Sequence, residues 1–136
     1  MSPPGVPVSH PALAVLDRQR DAWTAGDLDG YVAACAPDVV YVNAAGPSLG
    51  RDPLARTLGA AYPDRAAMGT LSLDVLRLDP FGDPGNGGAA AVVTLRWEVR
   101  TGGEPKGGHA VVVLRRTEGA WCMTHDATVA GATGRR

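Results

Sequence analysis

The stretch that most constrains the fold is a pair of alternating apolar runs near the C-terminus, joined by Glu118-Gly119. A two-residue turn of this kind is typical of a β-hairpin. With these two residues as the loop, Thr117 pairs with Ala120, and every later pair follows from the two-residue period of a strand. Strict alternation then pairs Val112 with His125.

His125 is the one polar side chain in an otherwise apolar row on the core-facing side of this hairpin. The row is Val112, Leu114, Trp121, Met123, His125 and Ala127. An imidazole there is either a hydrogen-bonded core residue or a group that points into a cavity, where it can act as a general acid or base. The same alternation puts Thr124 and Asp126 on the opposite face.

Length and charge exclude several classes of protein. A chain of 136 residues is sufficient for one domain that buries a core without disulfides or metal. The formal net charge of -1 argues against nucleic acid as the main partner, because counterions on phosphates need a basic excess to replace them. The histidines lack the spacing of metal ligands, so no metal is expected.

The cysteines and the apolar stretches indicate where in the cell the protein is located. Cys35 and Cys122, the only two cysteines, are expected to be reduced thiols. Neither a targeting signal nor an apolar run long enough for a membrane is visible. The sequence therefore predicts a soluble, cytoplasmic protein without a membrane partner.

The order of elements predicts an α+β architecture. Between a loose arm over residues 1–8 and a frayed tail from 131 to 136, residues 9–130 form a single domain. The first helix extends from a Ser9 N-cap to a Gly26 C-cap, and the second is capped by Asp27. The other predicted helices cover residues 28–36 and 52–62, and the predicted strands cover 38–43, 68–79, 89–100, 106–116 and 121–130. Residues 44–50 form a loop, and residues 80–88 form a mobile surface loop.

Helices followed by strands in successive hairpins are typical of helices packed on one face of an antiparallel sheet. A strongly curved sheet that helices close on one side makes a cone. Its concave interior is where a small molecule would bind.

Four segments carry a resemblance to a known family. They are residues 22–31, residues 37–42, Gly50 with the helix after it, and a last strand that begins Gly-Ala-Trp and ends His-Asp-Ala-Thr. From about residue 12 to residue 129, the chain resembles the SnoaL-like proteins, which belong with ketosteroid isomerase and nuclear transport factor 2 in one superfamily. The resemblance implies a cone-shaped fold with three N-terminal helices on the concave side, and a homodimer through the sheet.

The resemblance leaves the activity open, because the superfamily includes isomerases, cyclases, hydrolases and adaptors without catalysis. Ketosteroid isomerase uses a carboxylate base on its first strand. Asn43 lies at about that position, and an amide cannot abstract a proton. A related subgroup ends in Asp-His-Ser-Ser, of which Asp126 and Thr128 keep the acid and a hydroxyl, so Asp126 is a ligand-binding candidate.

Tyr41, Asn43, Tyr62 and Trp97 complete the ligand-binding candidates. Tyr41 and Asn43 share the side of the first strand that the resemblance turns toward the pocket, although Asn43 could equally end the strand as a turn residue. Tyr62 and Trp97 either line the cavity or belong to the core. The remaining polar residues of the sheet, Arg96, Glu98, His109 and Asp126, are interpreted as interface groups on its opposite face.

Two hypotheses follow. In one, the domain binds a small hydrophobic molecule or dimerises without catalysis. In the other, it is a cofactor-independent isomerase, cyclase or hydrolase that acts on a polyketide, terpenoid or steroid-like substrate, with His125 as general acid/base. The absence of a first-strand carboxylate favours the first.

Overall fold

A computed structural model describes residues 9–82 and 89–131. The predicted arm over residues 1–8, most of the predicted loop before residue 89, and the tail from residue 132 lie outside the described residues. The helices are α1 (Leu13–Thr24), α2 (Leu28–Ala33), α3 (Arg51–Ala61) and α4 (Arg65–Met68), and the strands are β1 (Cys35–Asn43), β2 (Gly46–Leu49), β3 (Thr70–Phe81), β4 (Ala90–Arg100), β5 (Lys106–Thr117) and β6 (Ala120–Gly131).

The six strands form one sheet in the order β2-β1-β6-β5-β4-β3. Strands β3 to β6 form the successive antiparallel hairpins that the sequence predicts. In addition, β1 pairs in parallel with β6, and β2 occupies part of the segment predicted to be loop. The predicted α+β class is therefore confirmed, with β6 in the interior of the sheet between β1 and β5.

The helix ends follow local hydrogen bonds. The predicted Ser9 N-cap is wrong, because the His10 imidazole Nδ1 accepts the Ala12 N–H at 3.1 Å and α1 begins at Leu13. The predicted cap of the second helix is confirmed, since the Asp27 carboxylate accepts the Gly30 N–H at 2.9 Å. That helix ends at Ala33, earlier than predicted, because β1 begins at Cys35 to pair with β6.

The core lies between the helices and the concave face of the sheet. From α1, Val15, Leu16 and Trp23 are buried there, and Leu54 and Leu58 of α3 join them. Each fully buried side chain of this size contributes about 1.5–3 kcal/mol relative to an exposed one. The apolar stripe of α1 therefore fixes which side of the sheet the helices cover.

Gly108 marks a close approach between the backbones of β5 and β6. A Cβ at this position of β5 would overlap the backbone carbonyl oxygen of Val129 on β6. Only glycine permits so close an approach of two backbones. Within residues 9–82 and 89–131, no helix combines the length and the apolarity that a membrane crossing requires.

Candidate functional site

A β-bulge in the last hairpin decides which side chains enter the concave face. As predicted, Thr117 pairs with Ala120 around the Glu118-Gly119 turn. The register shifts after the Leu114–Met123 pair. Thr124 is the extra residue on β6, and it reverses the alternation of every residue beyond it.

The prediction that Val112 pairs with His125 is therefore wrong. Val113 pairs with His125 instead, and the imidazole lies exposed on the outer face of the sheet. Its Nδ1 is 2.9 Å from the Thr124 hydroxyl. No contact brings His125 to the concave face, so its predicted role as general acid/base rests on the sequence pattern alone.

Asp126 takes the inward position that alternation gives to His125. It pairs with Val112 on β5 and with Tyr41 on β1, and only 8% of its surface is exposed. Its predicted place on the opposite face, beside Arg96, Glu98 and His109, is wrong for the same reason. The bulge therefore delivers a carboxyl group to the interior of the cone.

The interior contains a cavity of about 90 Å³. Its walls are mainly apolar, and its polar side chains are few. This volume exceeds the roughly 10–15 Å³ that one water needs, and it is smaller than the roughly 300 Å³ at which drug-sized pockets begin. In this conformation the cavity suits a compact ligand. Leu16, Trp23, Leu58, Leu95, Val112 and Met123 supply much of the apolar wall.

Burial raises the pKa of the Asp126 carboxyl to about 7, because the ionised form loses its hydration. Its Oδ1 has no hydrogen-bond partner among the residues that the structure describes. A carboxyl group with this pKa is divided between its neutral and ionised forms near neutral pH. Asp126 can therefore donate a proton to a ligand or accept one from it.

Two phenols flank this carboxyl group. Burial raises the pKa of Tyr41 to about 12, and the nearby Asp126 acts in the same direction. The pKa of Tyr31 is also raised well above its usual value, first by burial and then by Asp126. Both hydroxyls therefore stay protonated at neutral pH and can donate hydrogen bonds into the cavity.

The thiol next to this site is not a nucleophile. Burial, followed by the nearby Asp126, raises the pKa of Cys35 to about 12. The buried Gln19 amide donates to its sulfur at 3.5 Å. Because the thiolate is the reactive form, Cys35 remains a protonated, unreactive side chain at neutral pH.

Two tryptophans differ in how their indole N–H groups are satisfied. Trp23 Nε1 donates to the Met68 carbonyl oxygen at 2.7 Å. Trp97 Nε1 is buried and has no acceptor within the described ranges. Both rings line the cavity, so the unpaired N–H of Trp97 is available to a ligand.

Four of the five predicted ligand-binding residues line the cavity, namely Tyr41, Tyr62, Trp97 and Asp126. Asn43 does not. Its side-chain oxygen accepts the Ala45 N–H at 2.9 Å, in the turn between β1 and β2. Of the two interpretations of Asn43, the turn residue matches its contacts.

The sequence interpretation missed Gln19 and Tyr31, which also line the cavity. Gln19 lies three residues after Leu16 and four before Trp23, so it shares their face of α1. That spacing could have predicted Gln19 as a cavity residue, because a polar residue within an apolar stripe faces the core or a pocket.

Comparisons with known proteins agree with the geometry. The family model for the SnoaL-like domain matches residues 16–124. Among curated proteins, none matches the sequence. An NTF-2 like protein of unknown function from Shewanella oneidensis MR-1 superposes with a TM-score of 0.76 at 21% identity, and the match covers 86% of this chain and 94% of the other.

Two further solved structures share the fold. A ketosteroid isomerase-like protein from Erwinia carotovora atroseptica SCRI1043 gives a TM-score of 0.71 at 16% identity, with 88% of this chain and 93% of the other covered. A putative calcium/calmodulin-dependent protein kinase type II association domain from Thiobacillus denitrificans ATCC 25259 gives 0.68 at 21% identity, with 91% and 98% covered. At such identities the superpositions establish the fold alone. The family model matches most of the chain, which therefore belongs to the SnoaL-like domain family.

Proposed function

We propose that this SnoaL-like domain binds a compact, largely apolar molecule whose buried end carries a polar oxygen. The observation that carries the proposal is the Asp126 carboxyl, which lies in an apolar cavity with an unpartnered Oδ1. Ligand sites typically combine apolar walls with a few polar groups that fix orientation. Asp126 is one of the few polar groups that line this cavity.

The energetics favour a ligand with an oxygen at that point. A buried polar atom without a partner costs about 1–3 kcal/mol. A ligand hydroxyl or carbonyl recovers this energy by pairing with Asp126. The neutral acid donates to either oxygen, whereas the carboxylate accepts only from a hydroxyl. Tyr31 and Tyr41 supply two further donors, since both phenols stay protonated.

Binding is tested by calorimetry with a panel of cyclic ketones, lactones and terpenoid alcohols. We expect at least one class to bind the native protein and to lose roughly tenfold in affinity in Asp126→Leu, since one hydrogen bond to a buried group is worth about 1.5 kcal/mol. The control is His125→Ala, which removes the neighbouring side chain from the outer face and should leave affinity unchanged. The proposal fails if no compound binds, or if Asp126→Leu binds as well as the native protein.

The pKa of Asp126 supports a second candidate, in which the bound molecule is isomerised, cyclised or hydrolysed. A general acid/base works best when its pKa is close to the operating pH, and that of Asp126 is about 7. In this scheme Asp126 replaces His125 as the proton-transfer group, and Tyr31 and Tyr41 donate to the oxygen that becomes negative. Turnover of a bound compound that disappears in Asp126→Asn, while the compound still binds, would distinguish catalysis from binding.

For the outer face of the sheet we propose a homodimer contact. Val111 and Val129 are exposed there to 45% and 62%, on adjacent strands near His109. Apolar side chains that are clustered on an outer face are typical of an interface. Sedimentation of the native protein should give a dimer, and the double substitution Val111→Lys, Val129→Lys should give a monomer. A native monomer would contradict the proposal.

A further inference from the structure

We propose that the ligand is an amphiphilic acid, held with its carboxylate at the Tyr62 edge of the cavity by Lys106 and Trp97 and with its apolar body directed toward Asp126. This inference rests on the proposed binding function and deepens it, because it assigns the second polar end of the ligand. Three observations carry it.

The first observation is that Lys106 shares the inner face of β5 with residues that line the cavity. Lys106, Gly108, Ala110 and Val112 occupy alternate positions and therefore belong to the same face. Ala110 and Val112 line the cavity, and Val112 pairs with Asp126. Lys106 therefore lies on the cavity side of the strand, at the end away from Asp126.

The second observation is the position of the Lys106 ammonium group. Its Nζ lies 4.7 Å from the centre of the Tyr62 ring and 3.4 Å from the Tyr62 hydroxyl. Tyr62 lines the cavity and packs edge-on against Trp23 at 4.8 Å. The ring therefore holds the cation against the edge of the cavity, as aromatic faces do.

The charge of Lys106 is available to a ligand. None of the ion pairs within the described part of the chain includes it. The Glu98 carboxylate, on the neighbouring strand, is bound by Arg100 at 2.8 Å. An anion at the cavity edge would therefore find a cation without a competing carboxylate in contact.

The third observation is the unpaired indole N–H of Trp97. Trp97 pairs with Gly108, two residues from Lys106, so the two side chains originate at neighbouring positions on the same face of the sheet. A carboxylate binds strongly to a cation combined with an N–H donor. Neither group alone specifies an acid, but together they do.

Asp126 sets the direction of the ligand. Lys106 lies six residues before Val112, which pairs with Asp126, so the lysine and the carboxyl belong to opposite ends of the inner face of β5. A ligand carboxylate beside Asp126 would be repelled by its ionised form. The acid group therefore lies at the Lys106 end, and a hydroxyl or carbonyl at the other end pairs with Asp126.

The test measures octanoic acid, ω-hydroxyoctanoic acid and their methyl esters by calorimetry. The proteins are the native chain, Lys106→Met, Trp97→Phe and a control, Arg115→Met, which removes an exposed cation from the outer face of the same strand. We expect the native protein to bind each acid more tightly than its ester by roughly 3- to 10-fold. The lower figure corresponds to the affinity gained from an exposed ion pair, and the upper figure to that gained from a hydrogen bond to a charged group. Lys106→Met should abolish the preference, Arg115→Met should keep it, and Trp97→Phe should weaken acid binding severalfold.

Equal affinity for acid and ester in the native protein overturns the inference, as does a preference that survives Lys106→Met. In either case the ester that binds still supports the cavity as a binding site. If neither acids nor esters bind, the inference is overturned. The proposed function fails separately, only if the neutral panel of ketones, lactones and alcohols also fails to bind.

Discussion

Val112 and Asp126 face each other across the last hairpin, on the concave side of the sheet. Val112 is fully buried, and the carboxyl beside it is buried as well. This burial raises the pKa of Asp126 to about 7, because the ionised form loses its hydration. It also makes the stability of the fold depend on pH.

We predict that the native protein loses stability as the pH rises from about 4 to about 7. Below the unfolded pKa of 3.8, the Asp126 carboxyl is neutral in both states. Between 3.8 and about 7, the unfolded chain releases a proton that the folded chain keeps, so rising pH favours unfolding. At about 1.4 kcal/mol for each pH unit between the two pKa values, the loss reaches about 4 kcal/mol and is constant above pH 7.

Urea unfolding of the native protein and of Asp126→Asn, from pH 4 to pH 8.5, measures this loss. Because asparagine does not titrate, the difference in unfolding free energy between the two proteins should change steadily up to about pH 7 in favour of the variant. If the unfolding free energies of the two proteins change in parallel from pH 4 to pH 8.5, Asp126 has an ordinary pKa.

The bulge at Thr124 leads to a prediction about covalent pairing. Residues directly opposite in an antiparallel pair have Cα atoms about 4.5–5.5 Å apart, within the range of a disulfide. In a chain with Cys35→Ala and Cys122→Ala, we expect Val113→Cys with His125→Cys to form a disulfide under mild oxidation. Intact mass and thiol counting detect it.

The matched control combines Val112→Cys with His125→Cys, the pair that strict alternation would bring together. In the bulged register these side chains point to opposite faces, and the thiols should stay free. Oxidation of the control pair in preference to the first would mean that the strand is regular.

The last hairpin shows which of its features could be predicted from the sequence and which could not. The apolar period and the Glu118-Gly119 turn were sufficient to predict the strand and its first pairs. The bulge was not predictable, because Thr124 has no glycine or proline to indicate it. Strict alternation also places His125 and Ala127 on the concave face, whereas the bulged register places the more polar Asp126 and Thr128 there. One extra residue was enough to exchange His125 and Asp126, so the fold was predicted correctly and the candidate acid was not.

The pairing of β1 with β6 was missed for a different reason. It joins strands far apart in sequence, and no local pattern encodes the partner of a strand. The contact places Tyr41 next to Asp126 and begins β1 at Cys35, inside the segment predicted as helix. Tertiary pairing there overrode the local helical preference.

We predict that His125→Ala has little effect on stability. The imidazole is exposed and contacts the Thr124 hydroxyl next to it. Substitutions at such surface positions usually change the unfolding free energy by less than about 0.5 kcal/mol. Thermal unfolding of the native protein and the variant measures the change. A loss of more than about 2 kcal/mol would place this side chain in the core, as strict alternation requires.

The two buried indoles give the last prediction, because they differ in one hydrogen bond. Trp23→Phe and Trp97→Phe remove the same atoms, but among the residues that the structure describes only Trp23 Nε1 has an acceptor, the Met68 carbonyl at 2.7 Å. Losing that bond leaves a buried carbonyl unpaired, at a cost of about 1–3 kcal/mol beyond the change in packing. In Trp97→Phe the lost N–H is already unpaired, so its removal offsets part of the packing loss. We therefore expect the ligand-free Trp97→Phe variant to be more stable than Trp23→Phe by about 1–3 kcal/mol in urea unfolding. Equal losses would mean that Trp97 Nε1 donates to a protein acceptor, in which case it would not be free to bind a ligand carboxylate.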